Sequence, residues 1–280
     1  MPDDTQPIVS IVVPTRNSAD TLALCLDSVA GQSYGSIELI VVDNHSIDMT
    51  LRLAQSYTER VFVLGPERSA QRNYGARAAT GQYLLFVDSD MVLDEDVVFS
   101  CALKMRDHPD IGAIIIPERS LGEGFWARCK ALERSCYVGD DSMEAARFFR
   151  RDVFERTGGY DELLNAGEDW DLSQRASQIA RLDRVSSYIT HLEGRLTLHA
   201  TMRSKFYYGK TIRRYLAKNH ADTSRQFRLI RPAFRRHFRR LIVQPHLAAG
   251  MITMKGCEML AGATGLAVSL YYRWCWLTGS

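Results

Sequence analysis

The sequence predicts an α/β fold with a mostly parallel central sheet, followed by a helical region of different character. Three observations carry this. Through the first two hundred residues, short β-branched runs alternate with helical patterns, the signature of a layered α/β domain. Three of the runs end on polar loops, as ligand-binding strands of open sheets do. Beyond about residue 200 the strand signal stops and the charge turns strongly basic. The expected organisation is an α/β domain over 1–200 and a basic, amphipathic and apolar helical region over 201–280.

Ile8 to Val13, Ile37 to Val42, Val61 to Leu64, Tyr83 to Val87 and Ala113 to Ile116 read as strands, because they are rich in β-branched residues and mostly end at Pro, Gly or Asp. Leu22, Leu26 and Val29 share one helical face behind a Ser18 or Asp20 cap, and Leu51 to Tyr57 and Ala70 to Ala79 also read as helices. Phe227, Ile230, Phe234, Phe238 and Leu241 recur at steps of three or four among arginines, which predicts a helix with an aromatic stripe and a cationic face that Pro232 starts or kinks.

Composition narrows the class. With 280 residues, 46% hydrophobic and 24% charged, the chain is ordinary globular material and can bury a core without disulfides or a structural metal. Six cysteines form no C-x-x-C pair, which leaves a zinc ribbon or a thioredoxin-like site unsupported and leads us to expect reduced thiols. The opening MPDDTQP lacks a basic segment followed by an apolar one, so a cytoplasmic chain is expected. The net charge of +2 is unevenly spread: Arg203 to Arg240 holds thirteen Lys/Arg and one acid, Asp222, leaving 22 basic against 32 acidic residues elsewhere. Two parts with different partners are implied.

The strand-end loops are Pro14-Thr15-Arg16-Asn17, Asp43-Asn44-His45-Ser46 and Asp88-Ser89-Asp90. If strand geometry continues past Val87, Asp88 and Asp90 point to the same side and can hold a hard divalent cation. Such triplets also serve as helix caps and solvated turns, as Asp94-Glu95-Asp96 does in this reading. A second acid cluster, Glu168-Asp169-Trp170-Asp171, opens a helical pattern, where acids complement a helix N-terminus or serve as a general base. His191 is either an ordinary histidine or a further metal or phosphate ligand, and His199 is a weaker candidate.

The blocks PIVSIVVPTRNSADTLALCLDSVAGQSYGSIELIVVDNHSIDMT, SAQRNYGARAATGQYLLFVDSDM and RRDVFERTGGYDELLNAGEDWDLSQR resemble, in order and spacing, the family 2 nucleotide-sugar glycosyltransferases of the GT-A fold, over about residues 8 to 195. The resemblance implies that Pro14, Thr15 and Arg16 line a nucleotide pocket. It places Asp43 at the base edge and Arg72 and Asn73 near the ribose and diphosphate. Asp88 and Asp90 match the D-x-D, with Asp90 as ligand of Mg2+ or Mn2+ and His191 near the metal or phosphates. Asp169 matches the catalytic base, with Glu168 beside it and Trp170 lining the acceptor site. The frequent V-D-D-G-S-T-D string is replaced by Val42-Asp43-Asn44-His45-Ser46-Ile47-Asp48. The implied reaction is inverting transfer from a nucleoside-diphosphate sugar.

The basic tail has three readings: a solvated helix face, a nucleic-acid patch with Tyr207, Tyr208 and Phe227 stacking on bases, or an anionic membrane surface engaged through residues 203–272. The aromatic stripe and the adjacent apolar stretch favour the membrane, with no nucleic-acid partner. Leu241 to Tyr272 carries only Lys255 and Glu258 as formal charges, and its longest uncharged stretch, Met259 to Tyr272, is fourteen residues, short of the roughly 20 that span a bilayer. The expectation is a peripheral or monotopic enzyme on the cytoplasmic face of the cell membrane. Its acceptor is then lipid-linked or otherwise membrane-borne, as in cell-envelope polysaccharide or glycolipid synthesis, approached by the segment Glu118 to Asp141 with Phe125, Trp126 and Tyr137, which reads equally as an amphipathic helix packing its aromatics in the core. A soluble acceptor, a sugar nucleotidyltransferase and a non-enzymatic binding protein are the alternatives. No glycine- and lysine-rich triphosphate loop supports the nucleotidyltransferase.

Overall fold

The computed structural model of the chain describes residues 6–218 and 231–278, with backbone alone for 273–278. Phe227 and Ile230 of the expected stripe lie outside the described residues. The chain forms two compact units. An α/β unit runs to Arg119 and takes in Glu144–Glu162 and Glu168–Leu192; a helical unit comprises Ser120–Met143, Leu163–Gly167 and the chain from Glu193 on. The units interleave in sequence, whereas sequence reading placed one boundary near 200.

The α/β unit is built on a seven-stranded sheet in the order β3-β2-β1-β4-β8-β6-β9. These strands are β1 (Val9–Thr15), β2 (Ile37–Asp43), β3 (Val61–Val63), β4 (Tyr83–Phe86), β6 (Ile111–Ile115), β8 (Ala146–Arg150) and β9 (Arg181–Arg184). All neighbours pair in parallel except β8, which runs antiparallel to both β4 and β6. Sequence reading found β1, β2, β3, β4 and β6 within two residues but neither β8 nor the parallel edge strand β9.

Alternation along the strands sorts the core onto two faces. Val9, Ile11 and Val13 of β1 pack with Leu22, Cys25 and Leu26 of helix α1 (Ala19–Ala30) and with Val97, Val98 and Cys101 of helix α4 (Val97–Asp107). Val12, Ile40 and Phe86 face the other way, against Ala76 of α3 (Arg68–Ala78), Val153 and Phe154 of α6 (Arg151–Thr157) and Leu172 and Ala176 of α7 (Glu168–Ser177). Each fully buried Leu, Val or Phe contributes roughly 1.5–3 kcal/mol, so a rigid platform underlies the strand ends. The short helix α2 (Thr50–Gln55) follows β2. A second sheet has the order β5-β10-β7, from β5 (Met91–Leu93), β7 (Glu118–Glu123) and β10 (Ile189–Arg195). In it, β10 pairs antiparallel with β5 and sets His191 opposite Met91.

The helical unit contains α5 (Gly124–Ser135), α8 (Leu198–Thr211), α9 (Arg213–Lys218), α10 (Pro232–Arg236), α11 (Phe238–Val243) and the long α12 (Pro245–Thr278). Cys129, Leu132, Phe234, Leu247, Met251 and Met254 form its core. Close approach of α8 and α12 depends on glycine: a Cβ on Gly209 would strike the Gly262 carbonyl oxygen, and one on Gly265 the Phe206 carbonyl oxygen. Pro232 starts α10 as expected. The aromatic stripe is corrected, because the helix breaks at His237: Phe234 is buried whereas Phe238 is 52% exposed.

Candidate active site

Register brings the polar loops to one edge of the sheet. Thr15 pairs with Asp43 at the ends of β1 and β2, and Val12 pairs with Phe86 two residues before Asp88. The first two loops are laced together. Asn17 N donates to Ser46 Oγ at 2.8 Å, and Ile47 N donates to Asn17 Oδ1 at 2.9 Å. Asp43 is buried and accepts from Ser46 N at 2.8 Å and from Ser46 Oγ at 2.5 Å. Asn44 donates to the Pro66 carbonyl at 2.6 Å, and His45 is exposed with φ of +50°, a region a non-glycine residue adopts at some cost. Buried Gln71 donates to both the Thr15 and Val42 carbonyls, at 3.0 and 2.6 Å, clamping the ends of β1 and β2. Pro14 and Thr15 are buried and Arg16 is exposed; the Thr15 hydroxyl is buried without a hydrogen-bond partner.

Beneath the third loop lies a layer of guanidinium groups. Arg72, 0% exposed, donates to Asp88 Oδ1 at 2.5 Å and to Asp169 Oδ1 at 3.0 Å, and lies 3.5 Å from Glu168 Oε1. Its guanidinium also sits over the Tyr160 ring. Arg147 donates to Glu118 at 2.6 Å and lies 3.5 Å from Asp88 Oδ2 and 4.0 Å from Asp169 Oδ2. Arg68 reaches Glu168 at 3.2 Å. Burial pushes the Asp88 carboxyl up, but Arg72, Arg147 and Arg68 outweigh it and hold the group well below the usual carboxylate range. Glu168 is shifted the other way, first by burial and then by the charge of Asp169, against the pull of Arg68 and Arg72.

The expectation that Asp88 and Asp90 share a face is corrected. Strand β4 ends at Phe86, and Met91 N donates to the Asp88 carbonyl at 3.0 Å to close a turn. Asp88 thus drops onto Arg72 and Arg147, while Asp90 is set 3.6 Å from His191 Nδ1. That nitrogen is buried and has no hydrogen-bond partner. Among the described residues no group of three or more His, Cys, Asp or Glu gathers to hold a metal ion. A carboxylate oxygen facing an unsatisfied imidazole nitrogen still fits a divalent cation whose remaining ligands are phosphate oxygens and water, the habit of Mg2+ at substrate phosphates.

Asp169 lies in the first turn of α7, and Trp170 beside it is half-buried. Asn73 is turned away from open space: it donates to the Tyr160 carbonyl and to Glu162, both at 2.9 Å, and accepts from Tyr160 N at 2.8 Å. His199 is exposed at the start of α8, in the helical unit. Sequence reading missed Arg147, Gln71 and Arg68. A lone arginine inside the apolar run Ala146-Arg147-Phe148-Phe149 was the signal available for the first.

The α/β unit, with its acidic loops at the carboxyl edge of a mostly parallel sheet, defines a GT-A-like glycosyltransferase fold. Solved structures share it. Mannosyltransferase PcManGT from Pyrobaculum calidifontis, in complex with GDP-Man and Mn2+, is 19% identical with a TM-score of 0.62, covering 97% of this chain and 77% of its own. The first 349 residues of S. aureus TarS, in complex with UDP-GlcNAc, are 21% identical with a TM-score of 0.51, covering 73% of this chain and 66% of that one. A PGL/p-HBAD biosynthesis glycosyltransferase of Mycobacterium bovis (strain BCG / Pasteur 1173P2) is 31% identical over 184 residues, 60% of this chain and 69% of the relative. The sequence model of glycosyl transferase family 2 matches residues 10–158, more than half of the chain, and the chain belongs to that family.

Proposed function

We infer that the chain is an inverting, divalent-metal-dependent glycosyltransferase that moves a sugar from a nucleoside-diphosphate sugar to a hydroxyl group of a membrane-borne acceptor. The observation that carries this reading is the division of labour among its acids: Asp90 faces an unsatisfied His191, whereas Asp169 accepts a hydrogen bond from Arg72 with Arg147 behind it. The Thr15, Asp43 and Ser46 edge receives the nucleotide in this reading. Mg2+ or Mn2+ held at Asp90 and His191 would neutralise charge on the leaving diphosphate. Asp169 takes the proton of the acceptor hydroxyl as that oxygen bonds to the anomeric carbon and the bond to the diphosphate oxygen breaks. One displacement leaves the anomeric centre inverted. The hydrogen bond from Arg72, with Arg147 behind it, fixes the orientation of Asp169 for the attack.

In this reading the enzyme lies peripherally or monotopically on an anionic membrane surface, at the cytoplasmic face, and exposed side chains of the helical unit support the membrane contact. On α11, Phe238, Ile242 and Val243 are 52%, 67% and 76% exposed beside the exposed Arg235 and Arg239. Along α12, Ile252, Leu260 and Leu270 stand out from a face without formal charge. Among the described residues no helix is long and apolar enough to cross a membrane, so the fitting mode is an interfacial helix with arginines at headgroups. Metal-dependent release of nucleoside diphosphate from UDP-, GDP- and dTDP-sugars, with and without membrane lipid extract, tests both halves. Release with one donor, stimulated by lipid and lost in Asp90→Ala, is the expected result. Release stimulated equally by a water-soluble sugar would move the acceptor off the membrane.

A further inference from the structure

The helical unit buries charges that the transfer reaction does not use. Lys255 Nζ lies 2.5 Å from Glu133 Oε1 and 2.6 Å from Glu258 Oε2. Lys130 Nζ lies 3.2 Å from Glu133 Oε2 and 3.8 Å from Glu258 Oε1. Tyr137 donates to Glu133 at 2.5 Å and accepts from Arg231, whose guanidinium is 3.8 Å from Glu133. Glu133, Lys255 and Glu258 are between 1% and 6% exposed. Lys205 of α8 faces the same group, within reach of the charges of Lys130, Glu258, Lys255 and Glu133.

A lock that only fixed helix register would be neutral, because buried charge without a counter-charge is costly. This network is not. Lys130, Lys205, Lys255 and Arg231 face Glu133 and Glu258, and the Arg134–Glu193 pair, 3.5 Å apart, adds one charge of each sign beside Lys130, so five cations face three carboxylates, an excess of two positive charges among the described residues. Burial, and next the charge of Lys130, lowers Lys205 to about 8. Two of the cations are within reach of solvent: the Lys130 side chain is 18% exposed and Lys205 is half-buried.

We propose that Lys130, Lys205 and Lys255 form a binding site for a phosphate dianion, supplied by the phosphate monoester of a membrane lipid. Two negative charges match the excess, and a tetrahedral group can accept from ammonium donors on three different helices, α5, α8 and α12. The exposed apolar faces of α11 and α12 belong to the same unit, so a lipid carrying that phosphate has a surface for its chains. This deepens the acceptor half of the proposed function and rests on it only in calling the lipid an acceptor.

The test uses the full chain floated with phosphatidylcholine vesicles containing either phosphatidate or phosphatidylglycerol at matched surface charge, alongside thermal midpoints in inorganic phosphate and in chloride at equal ionic strength. The wild type should prefer phosphatidate about fivefold or more, the effect of one additional headgroup contact, and inorganic phosphate should raise its midpoint. Lys205→Met should lose the preference while unfolding no earlier than the wild type without phosphate, because it removes a surplus charge. Lys130→Gln should repeat the loss if Lys205→Met does not fold. Equal flotation of the wild type on both vesicles, or preference retained in the lysine variants, would overturn the site. A response to inorganic phosphate without preference for phosphatidate would overturn the lipid assignment. Asp90→Ala should keep the preference, so the site and the transfer reading can fail separately.

Discussion

The two units each bury an ionic network, and the networks lean in opposite directions. In the α/β unit, Asp88, Glu118, Glu168 and Asp169 face Arg68, Arg72 and Arg147, four carboxylates against three guanidiniums, with Asp90 beside them. In the helical unit, among the described residues, the cations outnumber the carboxylates by two. A surplus of negative charge suits a site that takes a metal ion and a proton; a surplus of positive charge suits one that takes a phosphate. The chemistry of the cations differs as well. Arginine stays charged and grips carboxylates with a planar fork, whereas lysine moves its pKa on burial, as Lys205 does.

This contrast can be broken from either side. The largest effect is expected from Asp90→Ala, which should abolish metal dependence and lower transfer by about a thousandfold, the scale of losing several kcal/mol of charge neutralisation; a metal titration of nucleoside diphosphate release reads it. Arg72 is the wrong probe, since it is fully buried and bonds both Asp88 and Asp169, so its removal tests folding as well as chemistry. Arg147 is better placed, because Asp88 keeps Arg72. Arg147→Met should lower kcat by about tenfold or more with donor KM little changed, as a misoriented base does, and Arg147→Lys should recover part of it. An unchanged kcat would make Arg147 a structural brace only.

Smaller effects are expected in the helical unit. Phe238→Ser with Ile242→Ser should weaken flotation on anionic vesicles by about tenfold, given roughly 1.5–3 kcal/mol for each apolar side chain fully buried and only partial insertion, while the thermal midpoint stays put because both are already exposed. The mildest is a pH dependence. Lys205 has its folded pKa lowered from 10.5 to about 8, so between these values the unfolded chain binds the extra proton and stability rises with pH. Denaturant unfolding of the wild type should therefore gain on Lys205→Met from about pH 8 to pH 10.5. A gap that stays constant or widens the other way would remove the surplus-charge argument.

Much of the α/β unit was legible because a parallel sheet buried on both faces writes itself as β-branched runs, and because Asp43, Asp88, Asp90 and Asp169 sit where runs end or a helix begins. What stayed hidden depended on long-range pairing. Strand β8 inserts antiparallel between β4 and β6, and that placement turns Arg147 from a surface-like arginine into a neighbour of Asp88 and Asp169. The turn at Asp88 likewise separates two acids that strand periodicity would have kept together. In the tail, Lys255 and Glu258 stood out as the only formal charges of residues 241–272, but their partners Lys130 and Glu133 lie more than a hundred residues earlier, on a helix whose own spacing gives no hint of the meeting.

The central claim is that Asp169 takes the acceptor proton. Asp169→Asn keeps size and a hydrogen-bonding oxygen but loses the base. Measured side by side, donor affinity by calorimetry should stay within a few-fold of the wild type, while acceptor-dependent release of nucleoside diphosphate should fall by about 10²–10⁴-fold, the range for a positioned general base. Near-normal turnover in that variant would contradict the account and send the search for the base to another carboxylate.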